Sequence, residues 1–422
     1  MINFLICGIA FLLFAFVKFK KKRILYPSVV FSVMWSAVCL YTAAILNGFG
    51  ENLNLKECYH YEYMDTLIVY VTIATIGGFM LAHAQKISGP RLMISEPFMD
   101  ILLSKYGWVM WLNFWGGILR MVLMIRLVGL DNMMDYRLAA NAMMMTSSFT
   151  LEGLVFKLTA YIQMFANFYV GLYGLRTGLN TLNLKRTLVI FMLYAPTQMA
   201  TGGRLFILYF ILFFFGSFLL GRGLKLKGMR SKLLLASERK ILIFSFVGLL
   251  GLVGFIAMLR GGGVSEDKET TIEKLAYITE GVLATEHMIQ YHPPGTYALD
   301  WGENTLGSSS ANYLSYRGYL ESTKMSSIIV CIFTPFYLDF GYWGLVVAMF
   351  LVAFGLEYIS LRTLRRMTLL NFFVLLLILK MLYESVLSTS LSTNIPQYEL
   401  LILFYFFYKG IFGKYEKQVA CS

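Results

Sequence analysis

Apolar runs of roughly twenty residues, joined by short polar connections, recur from one end of the chain to the other. An α-helix needs about that length to cross the hydrocarbon core of a bilayer. Candidate spans fall at 2–17, 25–49, 63–84, 106–129, 152–175, 187–200, 205–221, 241–259, 341–361, 368–388 and 398–412. The pattern predicts an all-α polytopic membrane protein of about 11 transmembrane helices, within roughly 10–12, built as one integral membrane domain over residues 1–422. The first run is read as a span and not as a cleaved signal peptide, because its basic cluster follows it and no small-residue cleavage site appears.

One long stretch breaks the pattern. Residues 260–326 are polar and predict a large loop with short helices inside it. This loop opens with Arg260 and three glycines, passes an acidic run (Glu266, Asp267, Glu269, Glu273), and carries His287, His292 and the turn Trp301-Gly302-Glu303-Asn304. The apolar segment 327–338 that follows is too short to cross, so it is expected to be re-entrant or interfacial, with the next span beginning at Gly341.

Composition agrees with this reading. The chain is 58% hydrophobic and only 14% charged, which leaves too few charges for the surface of a soluble protein of this size. The net charge of +12 raises the question of a nucleic-acid partner, and the distribution of that charge argues against one. Of the 36 Lys and Arg residues, 24 lie in six short segments at the ends of alternate apolar runs. That is the positive-inside arrangement, and it predicts those segments to be cytoplasmic and the N-terminus to lie outside. The loop holds nine acidic and five basic residues between Arg260 and Lys324, which suits the opposite, outer side. The five cysteines are scattered, with no metal-site spacing and no disulfide framework.

Ionisable groups in or near a membrane are costly, so they are candidates for function. Arg120, Arg126, Arg137, Arg204, Arg260, Arg317 and Lys380 gather towards the expected outer side. Arg120 and Arg126 are six apart and point in different directions on a helix, and either can instead snorkel to an interface. Lys380 can simply pair with Glu384 one turn later. Arg204 and Arg260 stand beside glycines, where backbone amides are open to an anion or, alternatively, cap a turn. Several outward guanidinium groups without a metal-ligand cluster suit a phosphate or diphosphate, which they grip bidentately at any working pH. No DxD-like pair or Gly-rich nucleotide loop is present, which disfavours a nucleotide substrate. Candidates for a general base are Glu280, Glu286, His287, His292, Asp300, Glu303 and Asp339, each with a solvated or structural alternative. The loop's tyrosines and tryptophans, Trp301 among them, suit sugar stacking and an interfacial aromatic belt equally.

Taken in order, several stretches carry a resemblance: Asp135-Tyr136-Arg137; Ala200-Thr201-Gly202-Gly203-Arg204; Arg260 with Ile278-Thr279-Glu280-Gly281; and Thr334-Pro335-Phe336-Tyr337-Leu338-Asp339-Phe340-Gly341-Tyr342-Trp343-Gly344. With its span layout, the chain resembles the oligosaccharide repeat-unit polymerases, the Wzy-type O-antigen and capsule polymerases of bacteria. The resemblance implies a GT-C-like, metal-independent inverting glycosyltransferase without cofactors, in the bacterial inner membrane with its active site on the periplasmic side. It implies an undecaprenyl-diphosphate-linked oligosaccharide as substrate and a chain-length regulator as partner. By position, Arg137, Arg204 and Arg260 would contact diphosphate and sugar, with Arg317, Arg120, Arg126 and Lys380 as further candidates. His287, Glu280 and Asp339 are the catalytic candidates, Asp339 with a structural alternative. A lipid-carrier glycan ligase and a flippase of lipid-linked glycans are the competing expectations.

Overall fold

The computed structural model describes residues 2–20, 26–47, 63–85, 91–129, 151–199, 209–225, 277–306, 310–322 and 331–384. Apart from isolated bridge residues, the regular structure among these residues is helical. The chain divides into two units, Met1–Arg91 with Glu269–Phe407, and Leu92–Lys268 with Tyr408–Ser422.

The first unit contains α1 (Ile2–Lys20), α2 (Pro27–Leu46), α3 (Met64–Ala84) and, from the second half of the chain, a long helix Phe333–Arg365 and a shorter one, Leu369–Glu384. Pro27 opens α2, where its missing amide costs nothing. The helices α1 and α2 pack side by side, and the Phe333–Arg365 helix lies along α3. Aromatic rings fill the space between them: Phe31 meets Phe11 and Phe79 edge-on, and Trp35 stacks on Phe333 with centroids 4.3 Å apart. The outer faces are apolar too. On α1, Leu5, Ile9, Leu12, Leu13 and Phe16 are exposed while Phe4, Cys7 and Phe11 are buried. A helix that is apolar all round belongs in lipid or a deep core.

Buried polar contacts give this bundle two distinct ends. At one end the Asn3 amide donates to Asp65 Oδ2 at 3.0 Å, bringing the starts of α1 and α3 together. At the other, Glu357 accepts from the Ser28 amide at 2.9 Å and its hydroxyl at 2.8 Å, and meets His83 Nε2 at 2.7 Å. That contact joins the start of α2 to the end of α3. The first amides of a helix have no partner inside it, and a carboxylate is a strong acceptor for them where water is excluded. Lys18, Arg362 and Arg365 lie towards this second end, in the last turns of their helices.

The second unit contains α4 (Glu96–Lys105), α5 (Trp108–Val128), α6 (Leu151–Leu179), α7 (Leu184–Met199), a π-helical turn (Ile211–Phe215) and α8 (Gly216–Lys225). Helix α6 meets the π-turn and α8 through Gly174 and Gly178. A Cβ at these positions would sit 2.4 Å from the Phe214 carbonyl and 2.1 Å from that of Phe218. Small residues four apart let helix backbones touch, which is how helices associate where lipid removes the hydrophobic drive. Arg176 at the end of α6 ties this helix to α4 through Glu96 at 2.7 Å and Asp100 at 2.8 Å.

Four stretches among the described residues are long and apolar enough to cross a membrane: Pro27–Leu46, Met64–Ala84, Glu96–Leu127 and Phe333–Arg365. Ile2–Lys18 and Leu369–Leu382 are shorter apolar helices. The expected spans at 241–259 and 398–412, and most of the first part of the 260–326 loop, lie outside the described residues.

Candidate functional site

The rest of the first unit is α9 (Tyr277–Tyr291), α10 (Glu303–Leu306) and α11 (Ala311–Ser322), followed by α12 (Phe333–Arg365) and α13 (Leu369–Glu384). Helix α12 is two helices joined at a break. Gly341 has φ 72° and ψ −173°, a backbone conformation essentially restricted to glycine. The sequence pattern places a boundary here, and the backbone leaves the helical region at this residue.

The break at Gly341 organises what surrounds it. Carbonyls in the last turn of a helix have no amide to bond within it. Two of them, Leu338 O and Asp339 O, accept from the Asp300 and Trp301 amides, each at 3.2 Å. The tyrosines tighten the same seam: Tyr297 Oη donates to Tyr337 O at 2.6 Å and Tyr337 Oη to His292 O at 2.5 Å. Burial, with the Asp300 and Asp339 charges nearby, pushes the Tyr297 hydroxyl well above its ordinary pKa, so it remains a donor.

Asp339 caps α10. Its carboxylate is fully buried and accepts from the Asn304 amide at 3.0 Å, Asn304 Nδ2 at 2.9 Å, the Thr305 amide at 2.7 Å and the Thr305 hydroxyl. A carboxylate with four donors has its accepting positions taken. This geometry gives Asp339 the structural part of its two expected roles. Asp300 is held alongside by Asn304 Nδ2 at 2.8 Å and Asn312 Nδ2 at 2.7 Å. His292 Nε2 lies 3.2 Å from the Asn312 carbonyl, an acceptor only, so Nε2 carries the hydrogen.

Helix α9 seats the neighbouring titratable pair. Glu286, 1% exposed, accepts from Met64 N at 2.6 Å, from Tyr63 N at 3.2 Å and from Gln290 Nε2 at 2.8 Å, so it closes the start of α3. His287, one residue later, is half-buried. Its Nδ1 stands 3.5 Å from the Tyr316 hydroxyl of α11, with the two rings 6.0 Å apart. Burial lowers the His287 pKa below its ordinary 6.5, and the Glu286 charge opposes that shift in part. The ring is therefore neutral at neutral pH.

The remaining expected site residues are distributed as follows. Glu280 lies in the first turn of α9 and Arg317 within α11. Lys380 is buried in α13. Arg120 and Arg126 belong to the second unit, on α5. Arg120 is buried, donates to the Phe156 carbonyl and sits 4.9 Å over the Phe156 ring, so it does not snorkel. Arg126 is exposed at the end of α5. Arg137, Arg204 and Arg260 lie outside the described residues. Sequence reasoning counted Tyr316 among the loop aromatics without its His287 partner, did not foresee that Asn312 holds Asp300, and missed the Glu357–His83 pair. A glutamate inside an apolar run and a histidine at the end of another were the available signals for the last.

The class of protein that fold and site define is an all-helical one, with apolar helices of membrane-spanning length and a polar, aromatic cluster over a helix break at one bundle end. No family model, characterised protein or solved structure matches the chain.

Proposed function

We propose that the chain is an oligosaccharide repeat-unit polymerase of a bacterial inner membrane, acting on the outer side. The observation that carries this reading is the placement of His287. A neutral, half-buried imidazole stands in a cluster of carboxylates, amides and aromatic rings, at the end of the bundle away from Lys18, Arg362 and Arg365. Basic residues mark the cytoplasmic side, so chemistry at the other end faces outward.

In this mechanism His287 takes the proton from a hydroxyl of the acceptor glycan as that oxygen attacks the anomeric carbon of the donor. The bond from that carbon to the phosphate oxygen breaks on the opposite face, the configuration inverts, and undecaprenyl diphosphate departs with the electron pair. In the tautomer that carries its hydrogen on Nδ1, with the Tyr316 hydroxyl as acceptor, Nε2 is the nitrogen that takes the proton. Arg137, Arg204 and Arg260 neutralise the charge that develops on the diphosphate. Asp339 and Glu286 position the machinery and do not exchange protons.

The test is a purified preparation given synthetic undecaprenyl-diphosphate repeat units, with products resolved as a ladder on a gel. The expected result is a ladder from wild type, loss of it in Arg204→Ala and Arg260→Ala, and a deep cut in His287→Gln, all in folded protein. A substrate that is never extended but crosses liposomes containing the same protein would replace this reading with a transporter. Transfer to a different acceptor in a single step would make the protein a ligase.

A further inference from the structure

We infer that Trp301 is a platform for a sugar ring of the glycan, an inference that rests on the polymerase reading for its ligand. The turn Asp300–Glu303 is closed by the Glu303 amide donating to the Asp300 carbonyl at 3.2 Å. Both of its central residues have positive φ, Trp301 at 49° and Gly302 at 97°. That is the pattern of a type I′ turn, whose first central position belongs to Asn, Asp or Gly. A bulky side chain with positive φ is an outlier, and Trp301 is the one non-glycine residue with it among the described residues.

The conformation is imposed from both sides. The Trp301 amide is held by the Asp339 carbonyl, and Asp339 also caps the helix that begins at Glu303. Strain of this kind persists only where the surroundings over-determine it, and it points to function. The side chain does not offset it by packing: Trp301 is 77% exposed, the most exposed of the large apolar side chains described. The fold therefore fixes the backbone under a large flat ring and leaves that ring in the open, on a turn that asparagine would fit better.

The flanking chemistry selects the ligand. Asp300 is held by two asparagine amides, and the Glu303 side chain is exposed on the other flank. An indole offers its face to the C–H side of a pyranose, and neighbouring carboxylates accept its hydroxyls. The same two carboxylates repel anionic headgroups, which argues against an interfacial anchor in a bacterial membrane.

The experiment uses the full chain in nanodiscs as wild type, Trp301→Asn and Trp301→Phe. The probe is the repeat-unit oligosaccharide released by mild acid from the lipid-linked pool of the cells that make the protein, freed of lipid and diphosphate. Wild type is expected to bind it, Trp301→Phe within a few-fold and Trp301→Asn about tenfold or more weakly. The melting temperature of Trp301→Asn is expected to equal or exceed that of wild type, which separates lost binding from lost folding. Equal affinity of wild type and Trp301→Asn, or no binding by wild type, overturns the platform. So does quenching by acyl-brominated lipid of the fluorescence that Trp301→Phe removes, because the indole then sits in the bilayer. Trp301-dependent binding without a ladder in the polymerisation assay keeps the platform and removes the polymerase.

Discussion

The Glu286 carboxylate accepts the Met64 amide at 2.6 Å, a bond between residues 222 apart in the chain. It fastens α9, which carries His287, to the first turn of α3, so the candidate base is tied to the helix bundle. Removing the carboxylate leaves the buried Met64 amide and the part-buried Tyr63 amide without it. Glu286→Ala is expected to cost about 2–3 kcal/mol, and Glu286→Gln, which keeps one acceptor oxygen, about 1 kcal/mol. Thermal unfolding in detergent checks both values, and the Ala variant should lose activity along with stability.

His287 sets a pH dependence whose sign follows from its lowered pKa. The unfolded chain binds the proton more readily than the folded one, so stability falls as pH drops below the ordinary value of 6.5. It levels off only below the folded pKa. Activity that needs the neutral ring should hold at neutral pH, persist somewhat below 6.5, and then fall. Melting temperature and initial rate measured against pH test this. In His287→Gln the acid-side loss of stability assigned to this group should disappear.

At the other end of the bundle, Glu357 holds Ser28 and His83 together while fully buried. Breaking a buried charged contact by removing one partner strands the other. Glu357→Ala is expected to destabilise by about 3–5 kcal/mol, and His83→Ala by less, since Ser28 still satisfies the carboxylate. Folded yield and melting temperature rank the two. Neither change should alter oligosaccharide binding in molecules that fold.

Gly341 makes the fourth prediction. Its φ and ψ place a side chain under strain wherever space exists, and the nearest neighbour of an added Cβ is Leu299 at 3.5 Å, an ordinary contact. Gly341→Ala is therefore expected to cost about 1–3 kcal/mol through the backbone alone. The local consequence is a straighter α12, which would pull Asp339 from α10 and expose the segment 291–306 to protease. Limited proteolysis of the variant against wild type reads this directly.

Much was legible along the chain because hydropathy and turn chemistry act locally. Apolar runs mark out α1, α2, α3, α5 and α6, since a helix hidden from water needs only apolar side chains and its own backbone bonds. Gly341 stood out as a boundary because a short apolar segment met a glycine there. What the sequence could not assign was direction and partnership. Asp339 reads as a base or a cap from sequence, and only folding brings the amides of Asn304 and Thr305 to its oxygens. Arg120 reads as an outward cation, yet α6 offers it the Phe156 carbonyl and ring. Trp301 reads as one aromatic among many until the carbonyl of Asp339 fixes its backbone and leaves its ring exposed. The sequence by itself determined which segments are helical and apolar, because that depends on neighbours a few residues away. The tertiary structure alone decided which polar groups are consumed in holding helix ends and which stand open to a ligand, because those partners lie tens to hundreds of residues apart.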